Sequence, residues 1–352
     1  MREYISLDIH KRYTLGGREG VESRKATYRR IDHVRGIITK YLSDAEPGTA
    51  VAVEATGNWY WIVDEIESAG MNPLLVHPYK AKVMLGMINK TDKLDVEGLN
   101  RLQRTGTLPT VWIAPSEIRD LRELSRTRMF VSRIRGRLKN RIQATLAKYG
   151  LQVTEYSDPF GKSARKETNR RVEVLPPQTK LVTLELLEEL DALQKRIEQQ
   201  EERIEALVKE TPEIRRLMTL PGVGKILSVV IALELGDIKR FPRAEQYASY
   251  AGTVPRVKAS GDKIRYGPLR SDVNRYLKWA YMEAANCVSL HQRNHPDWHV
   301  TKLYQRIRGR KGHAKAIGAV SRHLAESTFH MLVKNENYLQ PSSRKRIVAK
   351  GT

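Results

Sequence analysis

The 352-residue chain has one cysteine, Cys287. That excludes an intrachain disulfide framework and a cysteine-based zinc finger, and it suits a reducing compartment. Long apolar runs are missing as well. The longest, Ile226 to Leu233, is broken by a serine and falls far short of the ~18 residues that suggest a membrane span. The first residues, Met1-Arg2-Glu3-Tyr4-Ile5-Ser6-Leu7-Asp8, set acids around a short apolar run and are not expected to be a signal peptide. Membrane and secreted classes are therefore set aside, and a cytoplasmic protein is expected. Acidic residues are also scarce, at 40 against 62 lysines and arginines, for a net charge of +22. An excess of that size points to a polyanion, because each cation placed on a phosphate releases condensed counterions.

The charge is unevenly placed. Residues 1–112 carry +2, residues 113–180 carry +9, residues 181–213 carry −6 and residues 214–352 carry +17. Two basic bodies flank an acidic spacer behind a nearly neutral leading module, whereas a merely soluble surface mixes its signs. The expected organisation is a catalytic domain at 1–112, a basic helix and coiled-coil arm at 113–213, a third domain at 214–340, and a basic tail at 341–352.

The first module reads as α/β. Tyr4 to Leu7, Arg12 to Leu15 and Lys25 to Tyr28 have strand composition around a Gly16-Gly17 turn. Ile31 to Leu42 has helical spacing, Thr49 to Glu54 is a short buried strand, Trp59 to Ala69 a helix, Asn72 to His77 a strand and Asp92 to Thr105 a helix. The order βββαβαβα is that of a ribonuclease-H-like sheet. Asp8 then ends the first strand and Glu54 the fourth, while Asp92 and Asp95, three apart, share a face at a helix start. Four carboxylates brought together repel strongly unless cations neutralise them. Hard divalent ions with oxygen ligands do so, and a pair of them activates the attacking oxygen of a phosphodiester and stabilises the leaving one. Taken singly, Asp92 also reads as a first-turn acid and Asp8 as a turn residue.

Further along, Ile118, Leu121, Leu124, Val131, Ile134, Leu138, Ile142 and Leu146 recur at helical spacing among many arginines, which makes a long basic amphipathic helix. Lys162 to Arg171 reads as a basic loop. Leu186, Leu190, Leu193, Ile197, Gln200, Ile204 and Leu207 then step by four and three, a heptad seam with Glu-rich flanks. It suits a dimerisation arm, the alternative being an antiparallel hairpin with the preceding helix. Pro221-Gly222-Val223-Gly224-Lys225 resembles a helix-hairpin-helix turn whose amides bind a backbone phosphate, or else a plain helix-joining turn. The rest is mostly helical. His291, His295 and His299 have i, i+4, i+8 spacing, but Pro296 interrupts them and argues against zinc.

Three pieces of the first module, Asp8-Ile9-His10-Lys11, Glu54-Ala55-Thr56-Gly57-Asn58-Trp59 and Lys90-Thr91-Asp92-Lys93-Leu94-Asp95, resemble the insertion sequence one-ten family. So do Leu220-Pro221-Gly222-Val223-Gly224, Tyr250-Ala251-Gly252-Thr253-Val254-Pro255 and Ala259-Ser260-Gly261, in the same order. The resemblance implies a transposase with a RuvC-like Asp-Glu-Asp-Asp domain, so that Asp8, Glu54, Asp92 and Asp95 hold magnesium or manganese, two ions per site. It implies a serine nucleophile, a homodimer or higher oligomer joining the carboxylates of one subunit to the serine of another, and a noncoding bridge RNA that pairs with donor and target DNA. A prokaryotic, nucleoid-associated protein follows.

On its residues alone, Ser260-Gly261 is a Ser-Gly turn. The resemblance makes Ser260 the nucleophile, within a short cationic loop where Arg256, Lys258, Gly261 and Lys263 meet the phosphate, alongside Gly222, Gly224 and Lys225 at the other turn. A serine conserves the bond energy as an ester, where water would spend it. One departure stands downstream: the family usually has glycine before Asn274, and here it is Val273, with Ser271 as a second candidate serine. The competing expectations are a junction-type nuclease using water on the same carboxylates, and a non-catalytic nucleic-acid-binding protein.

Overall fold

The computed structural model describes residues 3–86, 91–261, 263–270 and 272–340. Ser271, Lys90 and the basic tail lie outside the described residues. The chain divides into two compact units, Met1–Ala114 and Pro115–Thr352.

In the first unit, β1 (Glu3–Ile9), β2 (Tyr13–Gly20) and β3 (Ala26–Asp32) form an antiparallel meander. After α1 (Ile37–Tyr41), β4 (Ala50–Glu54) adds parallel to β1; after α2 (Trp59–Ser68), β5 (Asn72–Val76) adds parallel to β4. Then come α3 (Pro78–Leu85) and α4 (Asp92–Arg104), and the sheet order is β3-β2-β1-β4-β5. Strand alternation divides the faces. Ile5, Leu7, Val51 and Val53 pack with Ile38, Ile62 and Ile66 on one side. On the other, the Ser6 hydroxyl donates to the Val96 carbonyl at 3.0 Å and Ala52 packs with Leu99 and Leu102, so α4 covers that face. Gly17 permits this close approach, since a β-carbon there would lie 2.0 Å from Val96 Cγ1.

Three points differ from the sequence reading, the first being that Gly16 and Gly17 form no turn but lie inside β2, paired with Leu7 and Ser6 of β1. Ile31 is in β3, opposite Thr14, and the helix is confined to α1. Buried Glu65 of α2 fixes that late start, accepting from the Gly36 and Ile38 amides at 2.6 and 3.0 Å. The short helix α3 was not foreseen. Pro78 opens it, and only Ala81 and Leu85 give it a packing seam.

The second unit starts with α5 (Ser116–Lys148), α6 (Arg165–Glu173) and α7 (Pro177–Leu207). Leu193 and Ile197 of α7 pack on Val131 and Ile134, while Leu187 and Leu190 pack on Ile142 and Leu146. That order makes α5 and α7 an antiparallel hairpin within the chain, the second of the two readings of the heptad seam. The seam is occupied there, and Arg128 joins Glu201 across it. Segment 165–173 is a helix rather than a loop, because Ala164, Thr168 and Val172 are buried and the Thr168 hydroxyl donates to the Pro159 carbonyl. The basic helix also turns arginines inward: Arg119 and Arg122 are buried.

The remainder comprises α8 (Pro212–Leu217), α9 (Lys225–Leu235), α10 (Ala244–Tyr250), the hairpin β6 (Pro255–Ser260) and β7 (Lys263–Leu269), then α11 (Arg275–Leu290), α12 (His299–Lys311) and α13 (His313–Lys334). Their common core gathers Leu217, Ile231, Tyr247, Tyr281 and Leu324. The Tyr247 and Tyr281 hydroxyls are 2.6 Å apart, and Tyr281 donates to Thr328 at 3.0 Å. Burial pushes both phenols up. No described helix is long and apolar enough to cross a membrane.

Candidate active site

The strand carboxylates lie at the carboxyl ends of the inner strands β1 and β4. Leu7 pairs with Val53, so Asp8 and Glu54 are the next residues on neighbouring parallel strands and share the face under α4. Thr91 caps α4, accepting from the Leu94 amide at 3.3 Å, and this sets Asp92 and Asp95 in the first turn. Asp8 and Asp92 then converge on a residue that the sequence reading did not select. His10 Nε2 lies 3.1 Å from Asp8 Oδ2 and 3.2 Å from Asp92 Oδ2. Among the described residues, Asp8, His10 and Asp92 are the only three whose ligand atoms all lie within 4.8 Å of one another. Glu54 ends the neighbouring strand β4 and Asp95 lies in the first turn of α4; neither belongs to that set of three.

The surroundings hold the cluster in place. Asn58 donates to the His10 carbonyl at 2.9 Å, Tyr13 stacks on the His10 ring, and the Tyr13 hydroxyl donates to Asp92 Oδ2 at 2.9 Å. That hydrogen bond is the main cause of a raised Tyr13 phenol. Two carboxylates held this close, with two more acids on the same face, suit a hard divalent cation. His10 stands two residues after Asp8 and one past the end of β1, a spacing that in the sequence hints at a shared side without showing the convergence with Asp92.

Ser260 is in the other unit. It ends β6 rather than lying in a loop, paired with Lys263 beside Gly261, whose φ is +55°. Pairing places Val257 with Tyr266 and Ala259 with Ile264 on one face, and Lys258 with Arg265 and Ser260 with Lys263 on the other. The serine thus shares a solvent-exposed strand face with three cations, and Arg256 is the second residue of the same strand. Among the described residues no carboxylate pairs with Lys258, Lys263 or Arg265.

The Pro221–Gly224 turn divides in its duties. Gly222 has φ +78°, and a β-carbon there would lie 2.2 Å from the Ala284 carbonyl oxygen, so packing against α11 accounts for this glycine. Gly224 is exposed at the start of α9 with nothing near its β-position, and Lys225 pairs with Glu205 at 3.5 Å. Val273 lies against Gly252 before α11. The three histidines do not converge: His291 Nδ1 contacts the Cys287 carbonyl, His295 stacks on Trp298 at 3.8 Å, and His299 faces His323 at 4.9 Å.

A mixed sheet in the order 3-2-1-4-5 with acids at the carboxyl ends of β1 and β4 is a ribonuclease-H-like arrangement suited to divalent-metal chemistry, and a basic helical unit follows it in the chain. Residues 19–150 match the family model described as a transposase with an Asp-Glu-Asp-Asp domain of the IS110 type, and residues 214–301 match the transposase IS116/IS110/IS902 family. The first match begins after Asp8. The chain is 28% identical over 248 residues to a probable family 20 transposase of Pseudomonas aeruginosa, covering 69% of this chain and 72% of that one. It is 25% identical over 291 residues to the transposase for insertion sequence element IS1111A of Coxiella burnetii, covering 82% and 79%. An insertion element IS110 protein of 43.6 kDa from Streptomyces coelicolor is 32% identical over 154 residues, covering 43% and 36%. The chain belongs to the IS110 family of transposases.

Proposed function

We propose that the chain cuts and rejoins DNA through a phosphoserine ester on Ser260, with Asp8, Glu54, Asp92 and Asp95 holding divalent cations. The observation that carries the reading is the β6–β7 hairpin: one serine, exposed, on a strand face otherwise occupied by lysine and arginine. Ser260 Oγ attacks the phosphorus of a phosphodiester and loses its proton. The Oγ–P bond forms, a deoxyribose–oxygen bond to phosphorus breaks, and that oxygen leaves as a hydroxyl. Attack by a second strand's hydroxyl on the ester reverses the exchange and frees the serine, so no outside energy is needed. Lys258, Lys263 and Arg265 lie where they offset the charge that grows on the phosphoryl oxygens.

Bound divalent cations supply polarisation of the phosphodiester and a lower pKa for an attacking hydroxyl. Asp8 and Asp92 would hold the first, with Glu54 and Asp95 completing the oxygen donors. His10 bridges the two carboxylates, and Asn58 and Tyr13 keep that geometry. Exposed Gly224 and the first amides of α9 suit a backbone phosphate, as in a helix-hairpin-helix turn. Guidance by a bridge RNA, assembly into a dimer or larger oligomer, and sharing of each site between subunits follow from the family resemblance. Exposed Arg133, Arg137 and Arg141 of α5 offer the RNA a surface, and exposed Phe130, Leu181 and Val182 offer a partner subunit one.

The test is a denaturing gel after incubation with nicked DNA that traps the first step. A retarded protein band that disappears in Ser260→Ala supports the ester. Free DNA ends without that band favour hydrolysis by water on the same carboxylates, and no cleavage at all favours a binding protein.

A further inference from the structure

We propose that the turn joining α12 to α13 is a clamp for the phosphate backbone of duplex DNA, separate from the cleavage chemistry. Between Asp297 and Glu326 the chain carries seven lysines and arginines and no acid. Five of them, Arg306, Arg308, Arg310, Lys311 and Lys315, fall within ten residues at the turn, and all are exposed. None pairs with a carboxylate among the described residues. The usual habit of this unit is the opposite: Arg128 pairs with Glu201, Arg165 with Asp191, and Arg171 with Glu155 and Glu167.

Helix electrostatics explain only part of the cluster. Cations in the last turn of a helix complement its dipole, which accounts for Arg308, Arg310 and Lys311 of α12. Lys315 stands in the first turn of α13, where the dipole disfavours a cation, and no acid offsets it there. Arg306 lies before the last turn of α12, on the same face as Arg310 and about 6 Å from it along the axis. The turn itself is fixed. Gly312, at φ +80°, donates to the Arg308 carbonyl at 3.0 Å, and the Tyr304 hydroxyl meets His313 Nδ1 at 2.9 Å. A rigid, unpaired, acid-free corner suits a polyanion. Besides His313, whose ring is held by the Tyr304 hydroxyl, the corner exposes no Tyr, Trp or Phe on which bases could stack, and a dense run of arginine and lysine favours a phosphate backbone over unpaired bases. The segment matched to the transposase family ends at Thr301, before this turn.

The inference rests on the reading that the chain acts on DNA and not on which group attacks it. The experiment measures duplex DNA affinity of the full chain across a salt series, for wild type, Arg306→Ala/Arg310→Ala/Lys315→Ala, and Ser260→Ala. Each phosphate contact contributes ~0.9 to the slope of log affinity against log salt. The triple variant should flatten the slope by about 2 to 3, equally for unrelated sequences. The charge-preserving Arg306→Lys/Arg310→Lys should keep the slope, and so should Ser260→Ala, even if Ser260 proves not to be the nucleophile. An unchanged slope would overturn the clamp. So would a loss confined to structured RNA or to self-association, because it would assign the corner to another partner.

Discussion

Glu234 Oε2 accepts a hydrogen bond from Asn274 Nδ2 at 2.9 Å, tying a fully buried carboxylate of α9 to the residue that caps α11. The Asn274 amide donates to the Tyr250 carbonyl at 3.1 Å, so the chain leaves for the Ser260 hairpin and returns from it at one closed neck. Arg126 completes the junction with bonds of 2.7 and 3.1 Å to Glu234. Glu234→Ala removes the buried carboxylate that Arg126 and Arg122 share and should lower unfolding free energy by about 3–5 kcal/mol. Denaturant titration checks this, and a loss under about 1 kcal/mol, the scale of an exposed pair, would remove Glu234 from that role.

The carboxylate cluster gives a second expectation. Asp8→Asn and Asp92→Asn should each abolish strand cleavage, as should a chelator acting on the wild type. DNA affinity measured in chelator should change little, because binding rests on the basic surfaces. Cleavage by either variant at the wild-type rate would remove the metal role.

Burial, and then the neighbouring His299, lowers the pKa of His323 from its ordinary 6.5. An imidazole with a lowered folded pKa binds its proton more readily in the unfolded chain, so stability is full above about 6.5 and falls as pH drops through the folded value. Thermal melting from pH 8 to 5 should show a decline below 6.5 that is smaller in His323→Gln. Equal declines in both proteins would assign the acid sensitivity elsewhere.

If each site joins the carboxylates of one subunit to Ser260 of another, coexpressed Asp8→Ala and Ser260→Ala chains should restore adduct formation that neither supports alone. In a mixed dimer one site is intact and the other doubly broken. Absence of adduct despite mixed oligomers recovered by pull-down would place each site within one chain.

Strand ends were legible where a β-rich run stopped at an acid, as at Asp8 and Glu54, and Asp92 was legible as a first-turn residue. Their convergence on His10 was not, because it depends on α4 settling over β2 at Gly17. The Ser260 hairpin carried its alternation openly, with Arg256, Lys258 and Ser260 separated by Val257 and Ala259, yet the cationic turn composition outweighed that pattern. The roles of Arg122, Arg126 and Glu234 were hidden altogether. Their partners are far apart in the chain, and periodicity shows that a helix has an inward face without showing which arginine it takes inside.

The most direct measurement is mass-spectrometric mapping of the peptide that carries DNA after trapping with a nicked substrate. The phosphoester should lie on Ser260, and Ser260→Ala should yield no modified peptide. A phosphoester on Ser271, or cleaved DNA with no modified peptide in the wild type, would contradict Ser260 as the nucleophile.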